Sequence, residues 1–169
     1  MTCSKMEILG IIFDMDMTLI DTSSLISYRQ NRQWNKVYHN IPKTRIYPGI
    51  INLVNELKRR YNLGIVTSSP RKYANKLIRY HNINIPILVA YHDTRLHKPA
   101  PDPIRLGCQK LACPRNKIIS IGDDKNDIIA SNIAGTTSVL ASWGISSPNS
   151  HQADFEFTSV EDLKHYLLN

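Results

Sequence analysis

The chain has 169 residues, 42% hydrophobic and 21% charged, which suits one soluble α/β domain better than two, since single domains usually run to about 100–150 residues. Seven Gly and nine Pro among scattered Val, Ile, Leu and aromatic residues exclude collagen-like, low-complexity and disordered classes, and no apolar run nears the roughly 20 residues of a membrane span. The net charge of +7 is unevenly placed: residues 22–92 carry twelve Lys or Arg against the single acid Glu56, while the segments on either side are net acidic.

Short apolar runs alternate with amphipathic segments of helical length, the pattern of βαβ units around a parallel sheet. Residues 8–13 form the first predicted strand, followed by 63–66, 87–90, 117–121 and 137–140, each bounded by Gly, Pro, Asn or Asp, and a sixth is expected at 154–157. Helices are predicted at 50–61, 71–80, 103–111, 126–134 and 160–167, with apolar residues three and four apart, as in Ile50, Leu53, Val54 and Leu57. Gly135 is placed to end the fourth of these helices. One stretch breaks the alternation. Residues 22–46 read as an insertion, with a short helix from Ser24 to about Val37 and a Pro-containing connection without any acid. Its Arg29, Arg32, Lys36, Lys43 and Arg45 lie among Tyr28, Trp34 and Tyr38, which suits either a lid facing a substrate or an amphipathic surface helix. The wider basic block can steer a polyanion, nucleic acid included, or serve as a solvated surface.

Cys3, Cys108 and Cys113 are odd in number and lack metal-type spacing, and residues 1–5 offer no apolar signal stretch. A reduced, cytoplasmic location is the expectation.

The residues with chemical potential sit where strands end. Asp14 and Asp16 follow the first strand at alternate positions, so both carboxylates can enter one crevice. Asp14 can attack phosphorus while Asp16 protonates the leaving oxygen and then activates water, although an acid in this position can also cap a helix. The fourth strand runs into Gly122-Asp123-Asp124-Lys125-Asn126-Asp127. Carboxylates converging there repel one another unless a cation neutralises them, and hard oxygen donors suit Mg²⁺; Asp127 also suits the positive end of a helix dipole. Thr67 and Ser68 follow the second strand and precede a helix, making a seat for phosphate or an ordinary turn. Lys98, held between His97 and Pro99, can reach a phosphoryl oxygen or face solvent.

The ordered set D-x-D-x-T (from Asp14), a strand-end Thr67, K-P-x-P-D-P (from Lys98) and G-D-x-x-x-D (from Gly122) resembles the haloacid dehalogenase superfamily, and within it the phosphoglycolate-phosphatase-like branch. Tyr47-Pro48-Gly49, the stretch 127–135, Ser142-Trp143-Gly144 and Ala153-Asp154-Phe155 extend the likeness over nearly the whole chain. The resemblance implies a Rossmann-like three-layer α/β fold of one domain, residues 1–169, with a minimal cap at about 22–46. It implies Mg²⁺ held by Asp14, the Asp16 carbonyl and Asp123, with Asp127 behind them, and phosphoryl oxygens held by Thr67 and Lys98. The implied activity is phosphomonoester hydrolysis through an aspartyl-phosphate on Asp14, with Asp16 as general acid and base.

Three positions depart from the branch. Met17 stands where Gly is usual and narrows the space beside the leaving group, Asp124 stands where Ser or Thr is common, and the insertion is far shorter than the usual helical cap, which predicts an open site. Phosphorylated small molecules are the expected substrates, with nucleotides or nucleic-acid ends as the alternative, given the basic flank. A sugar phosphomutase needs a cap to retain its bisphosphate intermediate, and this insertion is short for that. A basic binding module without catalysis is the remaining alternative, although the acids it could dispense with are all present. His92 and His97 flank Lys98 as further candidates for substrate contact.

Overall fold

The computed structural model describes residues 7–144 and 152–169; residues 1–5, with Cys3, lie outside them. In chain order the elements are β1 (Gly10–Phe13), β2 (Ile20–Asp21), α1 (Ile26–Gln30), α2 (Trp34–His39), β3 (Arg45–Ile46), α3 (Ile50–Leu57), β4 (Asn62–Val66), α4 (Arg71–Tyr80), β5 (Ile87–Val89), α5 (Asp102–Leu111), β6 (Ile118–Gly122), α6 (Lys125–Ala134), β7 (Thr137–Ala141), β8 (Phe155–Phe157) and α7 (Val160–Leu168). Six strands form one sheet in the order β5-β4-β1-β6-β7-β8, and every neighbouring pair is parallel. β2 and β3 pair antiparallel as a separate two-stranded ribbon.

Alternation along β1 makes this a three-layer α/β fold of Rossmann-like order. Ile11 and Phe13 point into a core shared with α3, α4 and α7. Ile12 points the other way, into a core with Val66, Val89, Ile104, Cys108, Leu111, Ala130 and Ala134, most of them from α5 and α6. A strand covered on both faces is apolar throughout, and all four residues of β1 are buried. Among the described residues no helix is long and apolar enough to cross a membrane.

The six predicted strands and five predicted helices are present, with two local differences. α3 stops at Leu57, and residues 58–61 form turns in which Arg60 N–H bonds Leu57 O, where Lys58, Arg59 and Arg60 in succession offer no apolar face to bury. The predicted helix over 24–37 is broken into α1 and α2 at Arg32, which takes a left-handed φ of +52°; the Gln33 N–H then bonds Tyr28 O. The break lets both halves reach the core, since Leu25, Val37 and Ile41 are all buried with the α3–α4–α7 layer. Gly135 ends α6 in the left-handed region, φ +83°.

Register sets the floor of the site. Phe13 is level with Ile65 and Ile121, and the Asp14 N–H extends the ladder to Ile121 O at 2.8 Å. Asp14 therefore emerges beside Val66 and Gly122, at the carboxyl edge where the strand order reverses between β1 and β6, the place at which open parallel sheets bind ligands. Phe13, fully buried directly beneath Asp14, anchors that position. Phe13→Ala is expected to cost about 3–5 kcal/mol, to be read as a lower urea midpoint with an unchanged denaturant slope; a loss within experimental error would show that the layer under the site is not packed as described.

Candidate active site

Asp14, Asp16, Thr67, Ser68, Lys98, Asp123 and Asp127 all line one cavity of about 250 Å³, together with Arg29, Ser69, Asp124 and Asn126. Its centre is a buried charge cluster. Lys98 Nζ, on a side chain only 4% exposed, lies 2.9 Å from Asp14 Oδ1 and 2.7 Å from Asp127 Oδ1 and donates to the Val66 carbonyl at 2.7 Å. Carboxylate oxygens of Asp14, Asp123 and Asp127 fall within 4.8 Å of one another. Burial and the nearby Asp127 charge raise the Asp14 carboxyl well above the usual carboxylate range. Burial, followed by Asp127, pushes Asp123 up to about 7. Burial opposes the charge on Lys98, but Asp127 and Asp14 outweigh it and hold the ammonium above its ordinary value. One ammonium cannot neutralise all three close carboxyl groups once they ionise, and their donors are all hard oxygen atoms; both features fit a small divalent cation.

Local folding accounts for each acid. Asp124 caps α6, its side chain accepting from Asn126 N–H at 2.7 Å, and Asp127 returns the favour by accepting from Asp124 N–H at 3.2 Å. Asp127 is thus both a helix-start acid and the partner of Lys98. It reaches β6 because residue 122 is glycine: a Cβ there would lie 2.4 Å from the Asp127 Cβ. Thr18 donates to Asp123 Oδ1 at 3.0 Å, and Trp143 Nε1 holds the Thr18 carbonyl at 2.9 Å. Met17, where glycine was noted as usual, adopts φ +64°, a conformation in which a side chain is disfavoured.

Asp16 lines the same cavity but is bound into a second network. Its Oδ1 accepts from Thr22 Oγ1 at 2.8 Å, Arg29 Nη1 at 2.8 Å and Tyr73 Oη at 2.7 Å, and its Oδ2 from Ser69 Oγ at 2.7 Å. Arg29 Nη2 also donates to Ser69 Oγ at 2.8 Å. Burial, then Asp16, raises the Tyr73 hydroxyl far above its normal range, so it remains a donor. The sequence reading missed these four partners. Arg29 carried only the signal of an acid-free insertion and Ser69 only that of a strand-end hydroxyl, while Thr22 and Tyr73 carried none. Thr67 is buried and accepts from Ser69 N–H at 3.1 Å, while Ser68 is exposed at the rim.

The insertion does not leave the site fully open, since Arg29 spans from it to Asp16. A larger cavity of about 770 Å³ adjoins the first, sharing Arg29 and Ser68 and walled by Trp34, Tyr38, Tyr91 and His92 among others. His97 stacks on Tyr91, ring centroids 3.8 Å apart.

Comparison with known proteins gives the family and the fold. A family model described as haloacid dehalogenase-like hydrolase matches residues 27–141, starting after Asp14 and Asp16. The pyrophosphatase PpaX of Bacillus velezensis is 26% identical, over 94% of this chain and 96% of the relative. That alignment runs over 208 positions against a chain of 169 residues, so the relative carries residues with no counterpart here. Among solved structures, a predicted phosphoglycolate phosphatase from Haemophilus somnus has a TM-score of 0.81 at 21% identity, covering 94% of this chain and 97% of that one. A HAD phosphatase from Thermococcus onnurineus has a TM-score of 0.80 at 19% identity, covering 95% and 98%.

The raised Asp123 carboxyl sets a pH dependence. The folded chain keeps a proton on Asp123 up to about 7, whereas a free carboxyl of this kind loses it near 3.8. The folded state is therefore favoured as pH falls from above 7 toward 4 and loses stability as pH rises through about 7. Thermal melts of metal-free protein are expected to show a lower midpoint at pH 8 than at about pH 6, with Asp123→Asn reducing the difference. A wild-type midpoint that rises over that interval would contradict the assignment.

Proposed function

The chain belongs to the haloacid dehalogenase-like hydrolase family, and from that premise we propose that it is a Mg²⁺-dependent phosphomonoester hydrolase acting through an aspartyl-phosphate on Asp14, with Asp16 as general acid and base. The observation that carries the reading is the convergence of Asp14, Asp123 and Asp127 at the sheet edge around the Lys98 ammonium. The relatives named as a pyrophosphatase and a phosphoglycolate phosphatase support a reaction at phosphorus.

Asp14, Asp123 and the Asp16 main-chain carbonyl are the groups that would hold Mg²⁺, with Asp127 beside them. When bound, the ion offsets the negative charge of the phosphoryl group and of the carboxylate that attacks it. Thr67 holds one phosphoryl oxygen and Lys98 another, the ammonium turning one N–H from the Val66 carbonyl to do so, with Ser68 at the rim; an ammonium already held in a small cavity needs little rearrangement as charge develops. An Asp14 oxygen bonds to phosphorus, the bond from phosphorus to the leaving oxygen breaks, and Asp16 supplies that oxygen with a proton. Water then attacks phosphorus and gives a proton back to Asp16 as the bond to Asp14 breaks. Inorganic phosphate leaves and both carboxyl groups return to their starting states. Tyr73, Ser69, Thr22 and Arg29 fix the Asp16 carboxyl in one orientation through these cycles.

Phosphate release from para-nitrophenyl phosphate and from sugar phosphates is expected only with Mg²⁺. Asp14→Asn is expected to abolish it, and Asp16→Asn to lower kcat by about 10²–10⁴-fold, the usual share of general acid–base catalysis. Turnover that persists in Asp14→Asn, or that is indifferent to Mg²⁺, would overturn the reading.

A further inference from the structure

We propose that the substrate is the phosphorylated end of a single-stranded nucleic acid. Its terminal phosphate occupies the catalytic cavity, its end nucleoside lies against the aromatic wall of the insertion, and its following phosphates run along α4. The inference rests on the phosphomonoester-hydrolase reading and specifies its substrate.

Three adjoining cavities carry the argument. The catalytic one, about 250 Å³, shares Arg29 and Ser68 with the 770 Å³ cavity beneath the insertion. That volume lies in the range of about 300–1,000 Å³ typical of ligand sites, and a phosphoryl group with a two-carbon leaving group would leave it empty. Its wall presents Trp34, Tyr38 and Tyr91, rings suited to stacking on an unpaired base. Ile26 and Tyr91 there are 40% and 39% exposed, apolar surface left facing water. Tyr38 also lines a third cavity of about 790 Å³, whose other side is the basic face of α4: Arg71, Lys72, Lys76 and Arg79. Among the described residues, no acidic one lines the second or third cavity.

Two of the α4 cations are placed at an electrostatic cost, whereas Arg79, in the last turn, is not. Arg71 and Lys72 occupy its first turn, where the helix dipole favours anions, and no acid stands there. Arg71 is paired with Asp93. Among the described residues no carboxylate lies within ion-pair distance of Lys72, Lys76 or Arg79. Lys72 and Lys76 instead sit 5.3 and 5.4 Å from the centre of the Tyr38 ring. Cations that lack a carboxylate partner are expected where a ligand supplies the missing charge, and a row of phosphates beside an aromatic wall supplies both kinds of contact.

The test compares phosphate release from a mononucleotide and from an oligonucleotide of about ten residues carrying the same terminal phosphate, with 5′ and 3′ phosphates in separate arms. The oligonucleotide is expected to have the higher kcat/KM at low salt. Neutralising three phosphates of a single strand gives a log–log salt slope of about −2, a fall of roughly 15- to 20-fold between about 50 and 200 mM, against a shallower response for the mononucleotide. Joint replacement Lys72→Ala, Lys76→Ala and Arg79→Ala is expected to bring the oligonucleotide-to-mononucleotide ratio to about one; a poorly folded variant lowers both rates and leaves the ratio unchanged. A wild-type ratio near one at low salt overturns the inference while leaving the hydrolase reading intact, as does a preference that survives the triple replacement in protein whose mononucleotide rate is retained. Fluorescence anisotropy of a labelled phosphorylated oligonucleotide with Asp14→Asn protein reads the groove without chemistry. If no monoester is turned over, the hydrolase reading falls, and salt-sensitive binding lost in the triple variant identifies a binding groove alone, whereas no binding overturns the groove as well.

Discussion

A single buried ammonium holds the site together. Lys98 bridges Asp14 and Asp127 and spends its third hydrogen bond on the Val66 carbonyl, so it ties β1, β4 and the start of α6 at one point. Without it, carboxylates from two strand ends would face each other across a crevice with little water to screen them. Breaking a buried pair of this kind by removing one partner leaves an uncompensated charge, usually the costliest outcome. The cluster has been compensated only in part, since Asp14 and Asp123 remain harder to ionise than ordinary carboxyls. Stability has been given up here to keep three carboxyl groups and their hard oxygen donors together at the sheet edge.

The rest of the fold serves this placement. Parallel strands deliver their carboxyl ends to one edge, and the registers of β1 with β4 and β6 bring Asp14, Thr67 and Asp123 to the same height within a residue. The two apolar layers clamp β1 from both faces, which fixes where Asp14 emerges. Gly122 removes the side chain that would otherwise meet Asp127. The insertion, although small, is folded into the same core through Leu25, Val37 and Ile41 and brings Arg29 over the crevice.

Much of this was legible in the sequence because the signals were local. Apolar runs such as Gly10–Phe13, short and bounded by turn residues, read as buried strands, and acids directly after two of them had one crevice to enter. The seven residues given catalytic, metal or phosphate roles line the same cavity, whereas His92 lines the neighbouring one and His97 stacks on Tyr91. The parts that stayed hidden depend on distance or on backbone detail. Tyr73 lies 57 residues from Asp16 in sequence, and nothing in an amphipathic helix says which tyrosine will face an acid rather than a core. The break at Arg32 lies inside a segment with good helical spacing, and tertiary burial of Leu25 and Val37 overrode it. Ser68 and Ser69 are chemically alike, and only the turn after β4 sets one at the rim and the other against Asp16.

The four donors to Asp16 come from four stretches of chain: the loop before α1, α1 itself, the turn after β4, and α4. An orientation fixed by so many separate segments works as a gauge of their mutual alignment. The outer surface of the insertion can therefore drift freely in sequence while its inner edge cannot, because any slide of α1 against α4 is read at once as a misdirected carboxyl. The shortness of the insertion then becomes a mechanical advantage: it has too few residues to swing far, and the crevice keeps its shape between turnovers.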